Sequence, residues 1–166
     1  MPHDPSSTSA GTPDRVLARL RELGLELPEA PSPVAAYLPA VRTGNLIFVS
    51  GQIPFRDGAL LATGPVPSRQ DVGTAIEAAR QCGLNGLAVV ARELGGGLER
   101  VRRIVRVGVF VASDSDFVEQ PRVANGVSEL LVEIFGDRGR HARAAVGCPS
   151  LPLGATVEVE MVVEVD

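Results

Sequence analysis

The order of the predicted elements is the feature that most constrains the fold. Apolar residues recur at helical spacing from Ser68 to Leu94 and again from Phe117 to Phe135. Runs rich in β-branched residues flank both stretches, and the predicted strands are Val34 to Arg42, Asn45 to Ser50, Ile53 to Leu61, Val101 to Ala112, Arg143 to Cys148 and Thr156 to Val165. This order of strands and helices predicts an α+β fold in which two helices pack on one face of a mixed β-sheet.

The chain length fits one domain with a short N-terminal extension. With 166 residues, the chain is long enough to bury a single hydrophobic core. Residues 1–14 are rich in Ser, Thr, Pro and Gly, and we predict a disordered tail there. Asp14 suits the N-cap of a helix from Arg15 to Leu23. The predicted domain covers residues 15–166, with the helix and a proline-rich linker at 15–32 and the core at 33–166.

Composition weighs against several function classes. The formal net charge is −4 and aromatic residues make up 4% of the chain, so neither a basic field nor stacking platforms favour nucleic-acid binding. The chain has no lysine, which excludes Schiff-base chemistry on a lysine amine and a pyridoxal-phosphate anchor. The two histidines and two cysteines are scattered and do not match the spacing of a zinc site.

The sequence carries no sign of secretion or of membrane insertion. The residues up to Asp14 are polar and lack the apolar core of a signal peptide. No apolar run approaches the roughly 20 residues that span a membrane. We expect a soluble cytoplasmic protein, in which a structural disulfide between Cys82 and Cys148 is not favoured.

The last predicted strand alternates between apolar residues and carboxylates. Apolar side chains occupy one of its faces, whereas Glu158 and Glu160 lie on the other. A central strand must place such carboxylates in solvent, at an interface or in a site. An arginine that faces a carboxylate from a neighbouring strand has the groups to hold an acidic substrate and to position a water, and Arg143 is the candidate. A solvated or inter-subunit ion pair is the alternative that this pattern alone leaves open.

Several ordered motifs strengthen the interpretation. They are Tyr37 after Pro33-Val34-Ala35-Ala36, then Val49-Ser50-Gly51-Gln52-Ile53-Pro54, Val109-Phe110-Val111 followed by Asp116-Phe117, Asn125, and Ala142-Arg143 followed by Leu151-Pro152 and Val157-Glu158-Val159-Glu160. On these motifs the chain resembles the RidA/YjgF family over residues 33–166, with the N-terminal helix of a longer subgroup. The resemblance implies a fold like that of the Bacillus-type chorismate mutase, assembled as a trimeric barrel with sites in clefts between subunits.

The resemblance also implies an activity. Members of this family hydrolyse reactive enamines and imines, such as 2-aminoacrylate, to 2-keto acids and ammonia, and no metal or organic cofactor is implied. Carried over to this chain, Arg143 binds the substrate carboxylate, and Glu158 orients or activates a water. The other residues carried over are Tyr37 and Ser50, which line the site and help place water or substrate, and Gly51 and Asn125, which belong to the substrate-binding set.

Several alternatives stay open on the sequence. Ala145 stands where archetypal members have a cysteine, which leaves room for a non-catalytic protein that binds small carboxylates or serves a biosynthetic pathway. Glu160 shares a strand face with Glu158 and competes with it as the water-positioning carboxylate. His141 is either a second base or a loop histidine without function. Ribonuclease activity fits the acidic charge and the few aromatic residues poorly.

Overall fold

The computed structural model describes residues 14–31 and 37–166. The α-helices in these ranges are α1 (Arg15–Glu22), α2 (Val72–Glu93) and α3 (Gln120–Phe135), and short 3-10 turns cover Gly136–Gly139 and Pro152–Gly154. The strands are β1 (Ala40–Thr43), β2 (Leu46–Gln52), β3 (Phe55–Arg56), β4 (Ala59–Leu60), β5 (Val101–Ala112), β6 (Ala142–Cys148) and β7 (Val157–Val165). None of the described helices is long and apolar enough to cross a membrane.

Five strands form one mixed sheet in the order β1-β2-β7-β5-β6. β6 runs parallel to β5, and the other neighbouring pairs are antiparallel. Helix α3 connects β5 to β6. This crossover brings the chain back to the end of the sheet where β5 began, so that β6 can run parallel to β5. The predicted α+β class and mixed sheet are confirmed.

The segment from Ile53 to Leu61, predicted as a further strand of the sheet, forms a separate hairpin instead. β3 and β4 pair with each other, with Phe55 opposite Leu60. In the sheet, β2 pairs with β1 on one edge and with β7 on the other, so the segment that follows β2 has no free edge of that strand to pair with. A tight turn joins β3 to β4, where Asp57 takes a positive φ of 53° in front of Gly58.

Helices α2 and α3 pack side by side on one face of the sheet, and glycines allow their close approach. A Cβ on Gly126 of α3 would lie 2.1 Å from the backbone oxygen of Ile76 in α2. A Cβ on Gly86 of α2 would lie 2.6 Å from Cε of Met161 in β7. The core between these layers includes side chains with no exposed surface, among them Ile47, Leu87, Val109, Leu130 and Val159. The predicted layering is confirmed, and Gly86 serves close packing on the sheet.

Helix α2 begins four residues later than the predicted start at Ser68. Asp71 is its N-cap and accepts a hydrogen bond of 2.9 Å from the backbone N–H of Thr74. Ser68 lies in the preceding turn, and its hydroxyl donates to a carboxylate oxygen of Asp114 at 2.9 Å. The side chain that satisfies an orphan N–H of the helix therefore decides where the helix begins.

Helix α3 also begins later than predicted, at Gln120 rather than Phe117. The backbone N–H of Phe117 donates to the oxygen of Asp114 at 3.1 Å, which makes a turn before the helix. Pro121 lies in the first turn of α3. Backbone N–H groups in a first turn have no partner inside the helix, so a proline costs no hydrogen bond there.

The N-terminal helix is present as α1, and Asp14 ties it to the core. Oδ1 of Asp14 accepts from the backbone N–H groups of Val16 and Leu17, both at 2.9 Å. Oδ2 accepts from Leu98 at 2.7 Å and from Glu99 at 3.2 Å. Asp14 therefore belongs to the folded part, whereas the other residues of the predicted tail lie outside the described ranges, as does the start of the first predicted strand before β1.

The two faces of the sheet differ in cover. Val157, Val159, Met161 and Val163 of β7 are buried toward the helices, on what we call the helix face, as the alternation predicts. The opposite face, which we call the open face, carries partly exposed side chains. These are Val41, Phe48, Phe110, Val146, Glu158, Glu160 and Val162.

Candidate active site

Arg143 lies on the edge strand β6 and is held by the first turns of α3. It lies opposite Val107 of β5, which is fully buried under the helices, so the Arg143 side chain also turns to the helix face. Its Nη1 donates to Oδ1 of Asn125 at 2.9 Å and to Oγ of Ser128 at 3.1 Å. Its Nη2 donates to the backbone oxygen of Pro121 at 3.3 Å. Helix α3 thus orients the guanidinium.

This arrangement leaves part of the guanidinium available to a ligand. A guanidinium has five N–H donors, and the contacts of Arg143 with α3 use three of them. The Nε–H and one N–H of Nη2 have no acceptor within residues 14–31 and 37–166. Arg143 is exposed to solvent, and two unused donors on one planar cation match the two oxygens of a carboxylate.

Glu158 lies on the open face of β7 in a setting that favours its neutral form. Burial raises the pKa of its carboxyl, and the negative charge of Glu160 raises that pKa further. Gly51 lies so close that a Cβ there would be 1.9 Å from Oε1 of Glu158. The pairing of β2 with β7 shifts between Val49 and Gln52, and Gly51 lies in this irregular segment. A carboxylate with a raised pKa is a better proton acceptor than a solvated one, as a general base must be.

Glu160, the competing carboxylate, is engaged elsewhere. Its Oε1 accepts a hydrogen bond from Nη1 of Arg106 at 3.1 Å in an exposed ion pair. Glu158 is in no ion pair with any residue of the described ranges. The geometry therefore favours Glu158 over Glu160 as the group that meets a water.

Arg143 and Glu158 do not meet within one chain, which corrects the expectation of neighbouring strands. β5 lies between their strands, because β6 and β7 pair with its two edges. Across the sheet, Val107 connects Arg143 to Met161, whereas Phe110 lies opposite Glu158. Because side chains alternate between the faces, Arg143 turns to the helix face and Glu158 to the open face. One chain thus places Arg143 and Glu158 in two separate regions.

A cavity of about 790 Å³ adjoins Gly51 and includes Tyr37 in its wall. The linker after α1 contributes Pro28 and Pro31 to the same wall. The Tyr37 side chain is 60% exposed, so its hydroxyl is available to a ligand. The structure therefore brings Tyr37 and Gly51 to one cavity, with Glu158 next to Gly51 but not in the cavity wall, and it places Asn125 with Arg143 elsewhere.

Ser50 has a structural contact that accounts for its position. Its hydroxyl donates to the backbone oxygen of Leu38 at 2.7 Å, and its N–H donates to the oxygen of Pro39 at 2.9 Å. Both bonds attach the segment that follows Tyr37 to β2. Ser50 also lines an open-face groove that contains Glu160 and Phe48. Within residues 14–31 and 37–166, the histidine is His141, and it contacts Ser128 of α3 rather than Ser50.

The sequence interpretation missed two groups of site residues. Ser128, which contacts Arg143, follows Asn125 by three residues, and this helical spacing places both on one face of α3. Asn85 of α2 donates to the backbone oxygens of Ile53 and Phe55, at 2.9 and 3.1 Å. These bonds hold the loop that borders the cavity. The sequence signal for Asn85 was its own position, as a polar residue among the apolar positions of the long helix α2.

Other reactive groups in the described residues do not form a second centre. Within the described ranges, no three His, Cys, Asp or Glu side chains converge as a metal site would require. Burial raises the pKa of the Cys148 thiol, and the charge of Glu158 raises it further, so the thiol is not activated as a nucleophile.

Comparison with known proteins assigns the family. The family model described as "YjgF/chorismate_mutase-like, putative endoribonuclease" matches residues 17–165. The chain is 43% identical over 153 residues to "Protein TCP17" of Trypanosoma cruzi, a match that covers 92% of this chain and 95% of that protein. It is 30% identical over 143 residues to a 2-iminobutanoate/2-iminopropanoate deaminase of Dermatophagoides farinae, covering 86% of this chain and 95% of the relative.

A solved structure agrees with this assignment. The crystal structure of Atu1372 from Agrobacterium tumefaciens, a protein of unknown function, superposes with a TM-score of 0.87 at 46% identity. The superposition covers 92% of this chain and 94% of the other. Sequence, fold and the resemblance in the motifs around Ser50 and Arg143 lead to the same conclusion: the chain belongs to the YjgF/RidA family.

Proposed function

We propose that this protein is an imine and enamine deaminase, which hydrolyses small 2-imino acids and their 2-aminoacrylate-type enamines to 2-keto acids and ammonia. The observation that carries the proposal is the guanidinium of Arg143, which α3 orients while two of its donors stay unused. A substrate carboxylate is the group that such a pair of donors fits. One relative in the family is named a deaminase of 2-imino acids.

The proposed site is completed by a second copy of the chain. Arg143 and Asn125 of one copy would face Glu158, Gly51 and Tyr37 of a neighbour, since one protomer separates these half-sites by strand β5. The open face supports an interface, because Val41, Phe48 and Val146 are 53%, 45% and 47% exposed there. A closed ring of identical heterologous contacts gives every copy one site, and we propose the homotrimer.

The proposed reaction assigns one task to each half-site. Arg143 binds the carboxylate of the imine and holds the C=N carbon in place. Glu158 takes a proton from a water whose oxygen bonds to that carbon, while the electron pair of the C=N π bond moves to nitrogen. The proton then passes from Glu158 to the nitrogen, which gives a carbinolamine. Glu158 next takes the hydroxyl proton and delivers it to that nitrogen, while the C–N bond breaks with its electron pair on nitrogen and the C=O π bond forms. The products are the 2-keto acid and ammonia, which balances the imine plus one water.

A coupled assay tests the function. A pyridoxal-phosphate dehydratase supplies 2-aminoacrylate, and keto-acid release is measured with and without the protein. We expect acceleration by the wild type and its loss in Arg143→Ala, since truncating one partner of a desolvated charge pair costs about 2–5 kcal/mol. Arg143→Lys should recover only part, because an ammonium lacks the planar fork. Arg42→Ala, at an exposed arginine of β1, is the matched control. No acceleration by the wild type would contradict the proposal.

The second candidate is a non-catalytic protein that binds small carboxylates. Ala145, in place of the archetypal cysteine beside Arg143, is the feature that favours it. Calorimetry with 2-ketobutyrate distinguishes the two, because binding without acceleration of keto-acid release would support the binding protein. The family description also names an endoribonuclease. The net charge of −4 weighs against that activity here, because RNA binding depends on positive charge that meets the phosphates.

A further inference from the structure

We propose that Ser128 and His141 are positioning residues for Arg143, and that they hold its guanidinium in the carboxylate-binding orientation while the His141 ring is neutral. This inference rests on the proposed function for its kinetic consequences. Its structural part concerns a chain of hydrogen bonds that ends on Arg143 and that can be tested without substrate.

The chain runs from the 3-10 turn after α3 to the guanidinium. Nδ1 of His141 lies 2.6 Å from the backbone oxygen of Gly139, and its Nε2 lies 3.0 Å from Oγ of Ser128. Oγ of Ser128 lies 3.1 Å from Nη1 of Arg143. Three consecutive contacts of hydrogen-bond length thus connect the turn, the histidine, the helix and the arginine.

The chemistry of the two ends sets one direction for these bonds. A carbonyl oxygen only accepts, so Nδ1 of His141 carries a proton and donates it to Gly139. A neutral imidazole has one ring proton, so Nε2 is an acceptor, and the hydroxyl of Ser128 must donate to it. The lone pairs of Ser128 Oγ then face the other way, where they accept the N–H of Arg143. For a neutral ring, this is the arrangement in which each contact has one donor and one acceptor.

The surroundings of His141 favour the neutral ring. Burial lowers the pKa of His141, and the positive charge of Arg143, two residues further along the chain, also lowers it. The hydrogen bond to the carbonyl of Gly139 acts in the opposite direction. The charged side chains of the neighbouring 3-10 turn are engaged elsewhere: Arg140 donates to Asp137 at 3.3 Å, and Arg138 donates to the oxygen of Val101 at 2.9 Å.

Of the charged groups on and just before α3, Glu129 is exposed and in no ion pair within the described ranges, and the others pair away from the His141 ring. Glu133 accepts from Arg80 at 2.8 Å, and Glu119 accepts from Arg122 at 3.1 Å. The contact that α3 makes with the His141 ring is the neutral hydroxyl of Ser128. Arg143 is therefore the charge that acts on this ring, and it disfavours protonation.

Protonation of His141 would reverse the middle bond. Nε2 would become a donor, Ser128 would have to accept from it, and the hydroxyl proton would turn away from the ring. A second positive charge would then lie one hydroxyl away from the guanidinium. Because Oγ of Ser128 has two lone pairs, it would still accept from Arg143, but the imidazolium and the guanidinium would repel each other across one oxygen and work against the orientation that α3 imposes on Arg143. The affinity for a carboxylate should therefore fall when the ring becomes charged, with little effect on the steps that follow binding.

Nitrogen NMR of the His141 ring in the wild-type protein tests the direction of the bonds without any assay of activity. At neutral pH we expect a protonated Nδ1 and an unprotonated Nε2. Arg143→Ala should raise the pKa of His141, because it removes the positive charge. A proton on Nε2 at neutral pH, or a pKa that Arg143→Ala leaves unchanged, would overturn the assigned chain.

Kinetics with an imine substrate test the positioning role. Ser128→Ala should raise KM about 5- to 20-fold with kcat within about twofold of wild type, because it weakens binding of ground state and transition state alike. Ser128→Thr keeps the hydroxyl and should recover most of the affinity. Ser115→Ala, an exposed serine in the loop before α3, is the matched control. A KM for Ser128→Ala equal to that of the control would overturn the role of Ser128.

The pH profile tests the histidine. In the wild type, KM should rise as the pH falls through the pKa of His141, and His141→Phe should abolish this rise while keeping a ring of similar size. A rise of KM that persists in folded His141→Phe, as judged by its melting temperature, would overturn the role of His141.

If the wild type accelerates no imine hydrolysis, the proposed function fails by itself. The affinity for 2-ketobutyrate, measured by calorimetry across pH, then replaces KM and decides the inference separately.

Discussion

Gly51→Ala gives a sharp test of Glu158, because it displaces one carboxylate without touching the rest of the fold. The added Cβ would lie 1.9 Å from Oε1 and 2.8 Å from Cδ of Glu158, whereas non-bonded heavy atoms keep about 3.5 Å or more apart. The carboxylate must therefore move by roughly 1.5 Å. Gly51 is not among the residues with positive φ, so alanine can adopt its backbone conformation.

The displaced group is the end of a flexible side chain, so the fold should tolerate the change. A shifted rotamer costs about 0.5–1.5 kcal/mol, which sets the expected loss in the free energy of unfolding. A misplacement of about 1 Å in a reacting group can cost about 100-fold in rate, and we expect a fall of that order in kcat. The measurements are keto-acid release in the coupled assay and urea unfolding.

Gly108→Ala is the matched control for this substitution. Its Cβ would lie 2.7 Å from Oε1 of Glu160, so it disturbs the competing carboxylate in the same way. We expect Gly108→Ala to retain most of the turnover, provided that the oligomeric state is unchanged. If Gly108→Ala lost turnover and Gly51→Ala kept it, Glu160 would be the base and the assignment of Glu158 would be refuted.

Three further predictions concern stability. Because the pKa of Glu158 is raised in the folded state, the free energy of unfolding should fall as the pH rises from the unfolded value of about 4.3 through the folded pKa, and Glu158→Gln should remove this fall in urea titrations across pH. An equal pH dependence in both proteins would show that Glu158 is not perturbed. Asp14→Ala should cost about 2 kcal/mol, at the upper end for a helix cap, because four backbone N–H groups lose their acceptor. Deleting residues 1–13, which lack apolar periodicity, should leave the melting temperature unchanged, and a fall in both variants alike would show that the cap is not the cause.

Local patterns in the sequence predict the elements well. Strand β5 has the predicted limits, Val101–Ala112, since its run of β-branched residues is bounded by changes in composition. The alternation in β7 predicts its buried face, and Asp14 caps α1 as expected. Each of these features depends on residues that are close in sequence.

Features that depend on distant residues were not predictable in the same way. The motifs around Arg143 and Glu158 do not reveal that β5 lies between their strands, because strand order is set by pairing across the whole chain. The position of Ser128 next to Arg143 follows from how α3 packs beside β6, and that packing depends on close contacts such as Gly126 against Ile76. The sequence therefore predicts candidate site residues but not how the fold distributes them between two separate regions of one chain.

Subunit complementation tests the central claim, that a working site combines Arg143 of one copy with Glu158 of another. Arg143→Ala and Glu158→Gln are each expected to be inactive as homo-oligomers. When equal amounts are unfolded and refolded together, about a quarter of the sites should combine an intact arginine with an intact glutamate from a neighbour, since each has about one chance in two. The account predicts about a quarter of the wild-type activity in the mixture. No recovery from mixed oligomers, confirmed by mass spectrometry to contain both variants, would contradict it.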